Sequence, residues 1–239
     1  FTAQVRSGKT TFLQIWQSYE DPSLEGLAIS TDPETPWHEI MPEAPIMQLV
    51  ADGDRLASVA KSLLRGDNDY ILLEEMRDAA AFRLALDITS AGTHRSKATI
   101  HDNDGVNVPY KMACKIREQY GGEIKELIAQ VFRNFDYAIE LCQMPDNRTK
   151  KMMKGIIEYS YDSETDTVTA ERICRYDFNQ KRWLWNPAPR RAKLHKYPQQ
   201  EKKILEMSRI LTGLSGQGKL DERTVIHPAY YRRETGEGR

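Results

Sequence analysis

Apolar positions in the first hundred residues follow two alternating patterns. Four short apolar runs have the length and composition of buried strands, and they cover 24–30, 45–50, 70–73 and 97–101. Stretches with apolar residues at helical spacing separate these runs, at 9–19, 52–66 and 79–89. This order predicts a doubly wound α/β sheet with mainly parallel strands and right-handed crossovers.

The second half of the chain has a different pattern. Helices are predicted at 109–120, 124–135 and 199–214. Four runs typical of antiparallel strands cover 137–143, 152–161, 167–176 and 181–185, with a polar hairpin turn at 162–166. We therefore predict an α/β core at 1–135 and, at 136–239, a β-rich extension with a final helix, packed on the same domain. A glycine-containing loop lies at 7–11, and a buried strand usually precedes a loop of this kind. Only a few residues precede it here, so we expect the natural protein to extend upstream.

Composition narrows the class of protein. With 239 residues, 40% hydrophobic and 29% charged, the chain has the makeup of a folded globular domain. The formal net charge of -1 and the lack of interleaved basic and aromatic residues argue against nucleic-acid binding. Three cysteines far apart in sequence argue against a disulfide framework and a Cys-x-x-Cys zinc site. No apolar run has the length of a membrane span, so we expect a cytoplasmic protein that partners can hold at a membrane.

A short run near the start of the chain carries candidate phosphate chemistry. It comprises Ser7, Gly8, Lys9, Thr10 and Thr11. In a phosphate-binding loop, backbone N–H groups surround the phosphates, the lysine reaches the outer phosphates and a hydroxyl binds Mg²⁺. The helix that follows directs its N-terminal N–H groups at the same anion. The full pattern requires a glycine where this chain has Ala3, and on these residues alone a helix start without a ligand is an equally good interpretation.

Acidic residues follow two of the predicted strands, and a histidine ends a third. These candidates are Asp32, Glu34, Glu74, Glu75 and His101. Ligands bind at the carboxyl ends of strands in open α/β sheets, which makes a shared site possible. Two adjacent carboxylates after an apolar strand need water, a metal or a cation as partner. The alternatives are a solvated acidic turn at Asp32 and a hydrogen-bonded structural role for His101.

Together these motifs resemble those of the secretion and pilus-assembly ATPases. The segment 64–78, with Glu75, Arg77 and Asp78 at its end, is similar to that family's apolar strand and Gly-Glu-x-Arg-Asp motif. The segment 97–103 resembles the histidine box of the family, and 31–34 its acidic box. The hairpin at 155–176 is similar to the tight-adherence pilus branch. The motifs occur in the family's order, and the resemblance covers roughly 1–185.

The resemblance implies a RecA-like P-loop ATPase that hydrolyses ATP with Mg²⁺ in a hexameric ring. The implied partner is an inner-membrane platform protein of a pilus, secretion or DNA-uptake system. By position, Lys9 would bind the β- and γ-phosphates, Thr10 and Glu75 the Mg²⁺, and His101 would sense the γ-phosphate. Asp32 or Glu34 would act as general base. A neighbouring subunit would supply a cationic finger, for which the candidates are Arg65, Arg77, Arg83 and Arg95.

Three positions depart from the pattern of the family. Ala3 replaces the first glycine of the loop, Glu74 replaces the glycine before Glu75, and Thr31 replaces an acidic residue before Asp32. These departures support an alternative function, a degenerate member that binds nucleotide weakly or not at all and acts as a structural component of the ring. Nucleotide binding with and without Mg²⁺ distinguishes the two.

Overall fold

One sheet of ten strands runs through the part of the chain that the computed structural model describes, residues 1–4, 6–32, 35–53, 55–58, 66, 68–220 and 224–231. The strands are Thr2–Ala3 (β1), Gly26–Ser30 (β2), Ile46–Val50 (β3), Tyr70–Met76 (β4), Lys97–His101 (β5), Tyr137–Met144 (β6), Asn147–Asp162 (β7), Thr167–Asp177 (β8), Arg182–Trp185 (β9) and Val225–Ile226 (β10). The helices are Lys9–Gln17 (α1), Trp37–Ile40 (α2), Ala79–Ser90 (α3), Val108–Tyr120 (α4), Ile124–Asn134 (α5), Arg191–Lys196 (α6) and Glu201–Ser215 (α7). Short 3₁₀ turns occupy Pro198–Gln200 and Ala229–Tyr231.

The sheet has a parallel half and an antiparallel half. Its order is β10-β8-β7-β6-β1-β5-β4-β2-β3, with β9 paired to β8. All pairs from β3 to β6 are parallel, and the pairs beyond β6 are antiparallel. Parallel strands place their carboxyl ends at one edge of the sheet. The segments after β1, β2, β4, β5 and β6 therefore meet at that edge.

Side-chain alternation along the parallel strands covers both faces of the sheet with helices. On one face, Ile71 and Leu73 of β4 join the core formed with α3, α4 and α5. On the other face, Tyr70 and Leu72 pack with Leu13 of α1 and with the buried Trp37. The central strand pairs are parallel, and helices cover both faces of the sheet, so the buried strands contribute apolar side chains to two layers. This confirms the predicted doubly wound α/β architecture with a mainly parallel sheet.

Two predicted strands have different bounds in the structure. Strand β4 was predicted to stop at Leu73, but it continues to Met76 with a bulge in its pairing to β5. The prediction was wrong there because the two carboxylates have partners that offset the cost of desolvation. Strand β7 starts at Asn147 rather than at 152, because its polar first residues pair with β6 across a two-residue turn.

Part of the predicted helix at 52–66 lies outside the described residues. The backbone at 55–58 is helical, as predicted, and the remainder of that stretch is described only at 52, 53 and 66. Among the described residues, no helix combines the length and apolarity that a membrane-spanning segment needs.

The C-terminal helices are fastened to the sheet by a cluster of charged groups. Asp136, at the start of β6, accepts hydrogen bonds from Lys193 Nζ at 2.5 Å, Lys196 Nζ at 2.9 Å and Tyr197 Oη at 2.8 Å. Burial of Asp136 raises its pKa, but the two ammonium groups outweigh that effect and the pKa lies below its ordinary value. Helix α6 is therefore held against the junction of α5 and β6. The division into a core at 1–135 and an extension at 136–239 stays a prediction.

Candidate functional site

The loop between β1 and α1 has the backbone shape of an anion cradle. Arg6 and Gly8 have positive φ angles of 63° and 81°, and Gly8 caps α1 without a side-chain hydrogen bond. The first N–H groups of a helix have no partner within the helix, so those of α1 are available to an anion. Ser7 is 2% exposed, and its hydroxyl has no hydrogen-bond partner in the described part of the chain. A buried, unsatisfied hydroxyl in this place fits a ligand with polar atoms.

Lys9, the first residue of α1, is directed into the carboxyl edge of the sheet. It is 7% exposed, and its Nζ lies 3.4 Å from Gln4 O and 3.0 Å from His101 Nδ1. Burial lowers the pKa of Lys9; Glu75 opposes this shift, and Arg77 adds to it. Among the described residues, no carboxylate pairs directly with the Lys9 ammonium, so an anionic ligand could bind to it.

Glu75 and His101 come from neighbouring strands and face Lys9. Glu75 Oε2 lies 2.5 Å from Arg77 Nη2, and Oε1 lies 2.8 Å from His101 Nε2. Burial of Glu75 raises its pKa, but Arg77 and His101 together outweigh burial, and the net pKa is below the ordinary value. The carboxylate is therefore ionised at neutral pH.

The contacts of His101 assign its tautomer. Lys9 Nζ can only donate, so His101 Nδ1 accepts, and the proton of the neutral ring resides on Nε2, on the side of Glu75. His101 Nε2 lies 2.8 Å from Glu75 Oε1, and apart from this contact the buried oxygen has no partner among the described residues. That oxygen can accept a further hydrogen bond or a cation.

Glu74 points to the opposite face of β4. It is 6% exposed, and its Oε1 accepts a 2.7 Å hydrogen bond from Trp37 Nε1. Trp37 begins α2, directly after the segment that carries Asp32, and nearby Thr35 is held by Gln14 of α1. The carboxylate that replaces a glycine of the family pattern therefore ties β4 to the segment after β2.

The other predicted site residues lie as follows. Thr10 is half-buried and Thr11 exposed in the first turn of α1. Asp32 is exposed at the end of β2 and makes no hydrogen bond or ion pair within the described ranges. Glu34 and Arg65 lie outside the described residues. The structure brings together Lys9, His101 and the Glu75–Arg77 pair. Asp32 makes no hydrogen bond or ion pair with them.

Two residues that sequence reasoning missed contact the phosphate loop. Gln143, near the end of β6, donates from Nε2 to Arg6 O at 3.0 Å. Lys151, at the start of β7, packs its side chain on Gly8. The predicted strands at 137–143 and 152–161 gave no sign of this, because the placement depends on the pairing of β6 with β1.

The residues of the site fit a nucleoside triphosphate with Mg²⁺. The unsatisfied Ser7 hydroxyl, the first-turn N–H groups and Lys9 suit phosphate oxygens, while Thr10 and Glu75 could hold Mg²⁺. No cluster of three or more His, Cys, Asp or Glu side chains that could bind a metal occurs in the described ranges.

The chain shares its fold with solved structures of ATPases. The VirB11 ATPase from the Brucella suis type IV secretion system superposes with a TM-score of 0.57 at 18% identity, covering 66% of this chain and 46% of that one. The pilus retraction motor PilT superposes with a TM-score of 0.50 at 14% identity, covering 99% and 62%. The ATPase DotB from Yersinia pseudotuberculosis gives 0.50 at 15% identity, covering 93% and 55%.

These likenesses confirm, at the level of the fold, the resemblance to secretion and pilus ATPases. The tight-adherence branch stays a prediction. The chain spans about half to three fifths of the length of these structures, 46% to 62%. No protein-family model matches the chain, and no curated protein matches it.

Proposed function

We propose that this chain is the nucleotide-hydrolysing unit of an ATPase. The observation that carries the proposal is the convergence of Lys9, His101 and Glu75 at the carboxyl edge of a parallel sheet, directly at the N-terminus of α1. Three separate elements, α1, β4 and β5, supply these side chains. Such a convergence at the head of a glycine-capped helix is suited to the phosphates of ATP.

Each residue has a distinct role in this proposal. The first-turn N–H groups and Lys9 bind and orient the phosphates, and Lys9 exchanges its contact with His101 for a phosphate oxygen. Glu75, ionised at neutral pH, orients the attacking water and accepts its proton at the buried Oε1. His101 holds the Nε2 proton next to that carboxylate, and Arg77 keeps Glu75 ionised. Mg²⁺, held by Thr10 and Glu75, would neutralise the charge of the phosphates.

The cellular role is a finer proposal and rests on the names of the structural neighbours and on the family motifs. We infer a motor of pilus assembly, secretion or DNA uptake that works as a hexameric ring in the cytoplasm against an inner-membrane platform protein. The alternative general base is Asp32 or Glu34, and a neighbour's arginine would complete the site. Direct binding of nucleic acid is not part of this role.

The second candidate function is a ring component that binds nucleotide without hydrolysing it. The observation that favours it is that Asp32 is exposed and makes no contact with Lys9 or Glu75 within the described residues. In that case ATP would bind at the same loop, and no phosphate would be released above background.

Nucleotide binding tests the shared part of both functions. Wild-type protein should bind ATP by calorimetry, more tightly with Mg²⁺ than without it. Lys9→Ala should lose this binding and keep its fold by circular dichroism, because the ammonium has no directly paired carboxylate among the described residues. The matched control is Lys115→Ala, since Lys115 lies on α4 in an exposed pair with Glu118. Equal ATP binding by both variants would contradict the assignment of the loop.

A further inference from the structure

The hairpin formed by β6 and β7 lies beside the phosphate loop. Strand β6 runs parallel to β1, with Thr2 opposite Glu140, so both strands end at the same edge of the sheet. β6 ends at Met144 and β7 begins at Asn147. The tip of this hairpin therefore projects next to the residues that connect β1 to α1.

Two side chains of the hairpin contact that loop. Gln143 donates from Nε2 to Arg6 O at 3.0 Å. Lys151 covers Gly8: a Cβ placed on this glycine would lie 3.2 Å from Lys151 Cδ and 3.7 Å from its Cβ and Cγ. Gln143 and Lys151 are partners in the β6–β7 register, so both reach the loop from one face of the hairpin.

Among the described residues, none provides a counter-charge to Lys151. It is exposed, and it makes no hydrogen bond or ion pair with any residue in the part of the chain that the structure describes. A lysine packs its methylene stem on a surface and keeps its ammonium at the solvent end. Since Lys151 Cδ lies over Gly8, and the ammonium is two bonds beyond Cδ, the positive charge of Lys151 is close to the loop that borders the anion site.

The charge around the loop also favours an anion. Lys9 approaches from inside the sheet edge, Arg6 is part of the loop, and Lys151 approaches from the hairpin. Among the described residues, the carboxylate that acts electrostatically on Lys9 is that of Glu75, which is already paired with Arg77. Several cations with little compensating negative charge concentrate polyphosphate anions.

We propose that Lys151 is a further phosphate-binding residue, supplied by the β6–β7 hairpin of the same chain to the polyphosphate seated on Gly8. The proposal rests on the proposed function and deepens it. It assigns to the hairpin a part in substrate binding, with Gln143 as the residue that positions the hairpin on the loop. The ligand class is a polyphosphate, and the adenosine moiety contributes nothing to this contact.

The test separates the charge of Lys151 from its packing. Lys151→Met keeps an apolar stem over Gly8 and removes the ammonium, whereas Lys151→Arg keeps a cation. Lys150→Met is the matched control, because Lys150 is equally exposed and is not among the side chains nearest to Gly8. Binding of ATP and of inorganic tripolyphosphate is measured by calorimetry on the intact protein at low salt, and folding is checked by thermal unfolding.

Lys151→Met should weaken both ligands about tenfold, equivalent to ~1.4 kcal/mol. The affinities of Lys151→Arg and Lys150→Met for both ligands should remain within about threefold of those of the wild type. A change of this size is expected for a charge that does not contact the ligand directly. Loss of ATP binding without loss of tripolyphosphate binding would overturn the proposal, as would tighter binding by Lys151→Met, which would make Lys151 a cover that excludes phosphate.

The failure of this inference is distinguishable from failure of the proposed function. If the wild type binds ATP, Lys9→Ala abolishes binding and Lys151→Met equals Lys150→Met, then Lys151 plays no part and the ATP site stands. If the folded wild type binds neither ATP nor tripolyphosphate, both proposals are wrong.

Discussion

At the scale of single residues, the two adjacent carboxylates of β4 have different surroundings. Alternation along the strand sends Glu75 toward Lys9 and His101, and Glu74 toward Trp37. One carboxylate is therefore placed at the proposed site of chemistry. The other is a buried link between β4 and α2.

Substitution of these two carboxylates should separate turnover from structure. Glu75→Gln should keep ATP affinity and lower turnover by ~10²–10⁴-fold, because an amide cannot accept the proton of water. Glu74→Gln should keep most of the turnover, since its amide oxygen can still accept the Trp37 hydrogen bond. Phosphate release and ATP binding are measured on both variants. A larger loss of turnover in Glu74→Gln would show that the wrong carboxylate is assigned.

The Trp37 hydrogen bond should contribute to stability. Trp37→Phe removes the donor and leaves the carboxylate of Glu74 buried without it, which should cost ~1–3 kcal/mol in the free energy of unfolding. Trp16→Phe is the control, because Trp16 is 42% exposed and should change stability by no more than ~0.5 kcal/mol. Urea denaturation measures both. Equal stability of the two variants would refute the structural role of Trp37.

At the scale of secondary-structure elements, most of the parallel core could be predicted from the sequence. The apolar periodicity correctly places strands β2, β3 and β5 and helix α3. These elements are buried, and burial requires apolar residues at the spacing of a strand or a helix. The end of β4 could not be predicted, because two of the partners of its carboxylates come from other segments of the chain. Trp37 and His101 lie far from Glu74 and Glu75 in sequence, and a single sequence does not show which of them meet.

The hairpin contact with the phosphate loop was also beyond prediction. The polar start of β7 resembles a loop by composition, and only its pairing with β6 makes it a strand. Its proximity to Gly8 follows from the parallel pairing of β6 with β1, two strands that are more than 130 residues apart in sequence. Non-local pairings of this kind leave no periodic signal.

The attachment of α6 to the sheet should depend on pH. The pKa of Asp136 is lower in the folded protein than in the unfolded chain. Its carboxylate therefore stabilises the fold fully at pH values above the pKa of the unfolded chain. This stabilisation is lost as the pH falls through the lower pKa of the folded protein. Asp136→Asn should therefore be less stable than wild type by ~1–3 kcal/mol at pH 7, the cost of a lost charge-assisted hydrogen bond.

Stability curves of wild type and Asp136→Asn at several pH values measure this effect. The gap should close once the pH falls well below ~3.9, the ordinary value for aspartate. Asp146→Asn, in the β6–β7 turn, is the control and should follow the wild type. At pH ~2, most carboxylates of folded proteins are protonated. A difference in the free energy of unfolding that stays constant down to this pH would contradict the ionic role of Asp136.

At the scale of the whole molecule, the proposed site is open on one side. Arg77 is 60% exposed beside Glu75, at an edge where a neighbouring subunit could contribute or receive a cation. We therefore predict that the intact protein forms a ring when it turns over ATP. Specific activity should rise with protein concentration and then level off, in parallel with a larger species on size-exclusion chromatography with ATP. A monomer with constant specific activity would contradict the ring and the motor function.

The central claim is that the loop ahead of α1, with Lys9, Glu75 and His101, hydrolyses ATP. The most direct measurement is the rate of phosphate release from ATP with Mg²⁺ by the intact wild type, by Lys9→Ala and by the control Lys115→Ala, prepared side by side. The account predicts release by the wild type and by Lys115→Ala, and none above background by a folded Lys9→Ala. Equal release by all three proteins would contradict it.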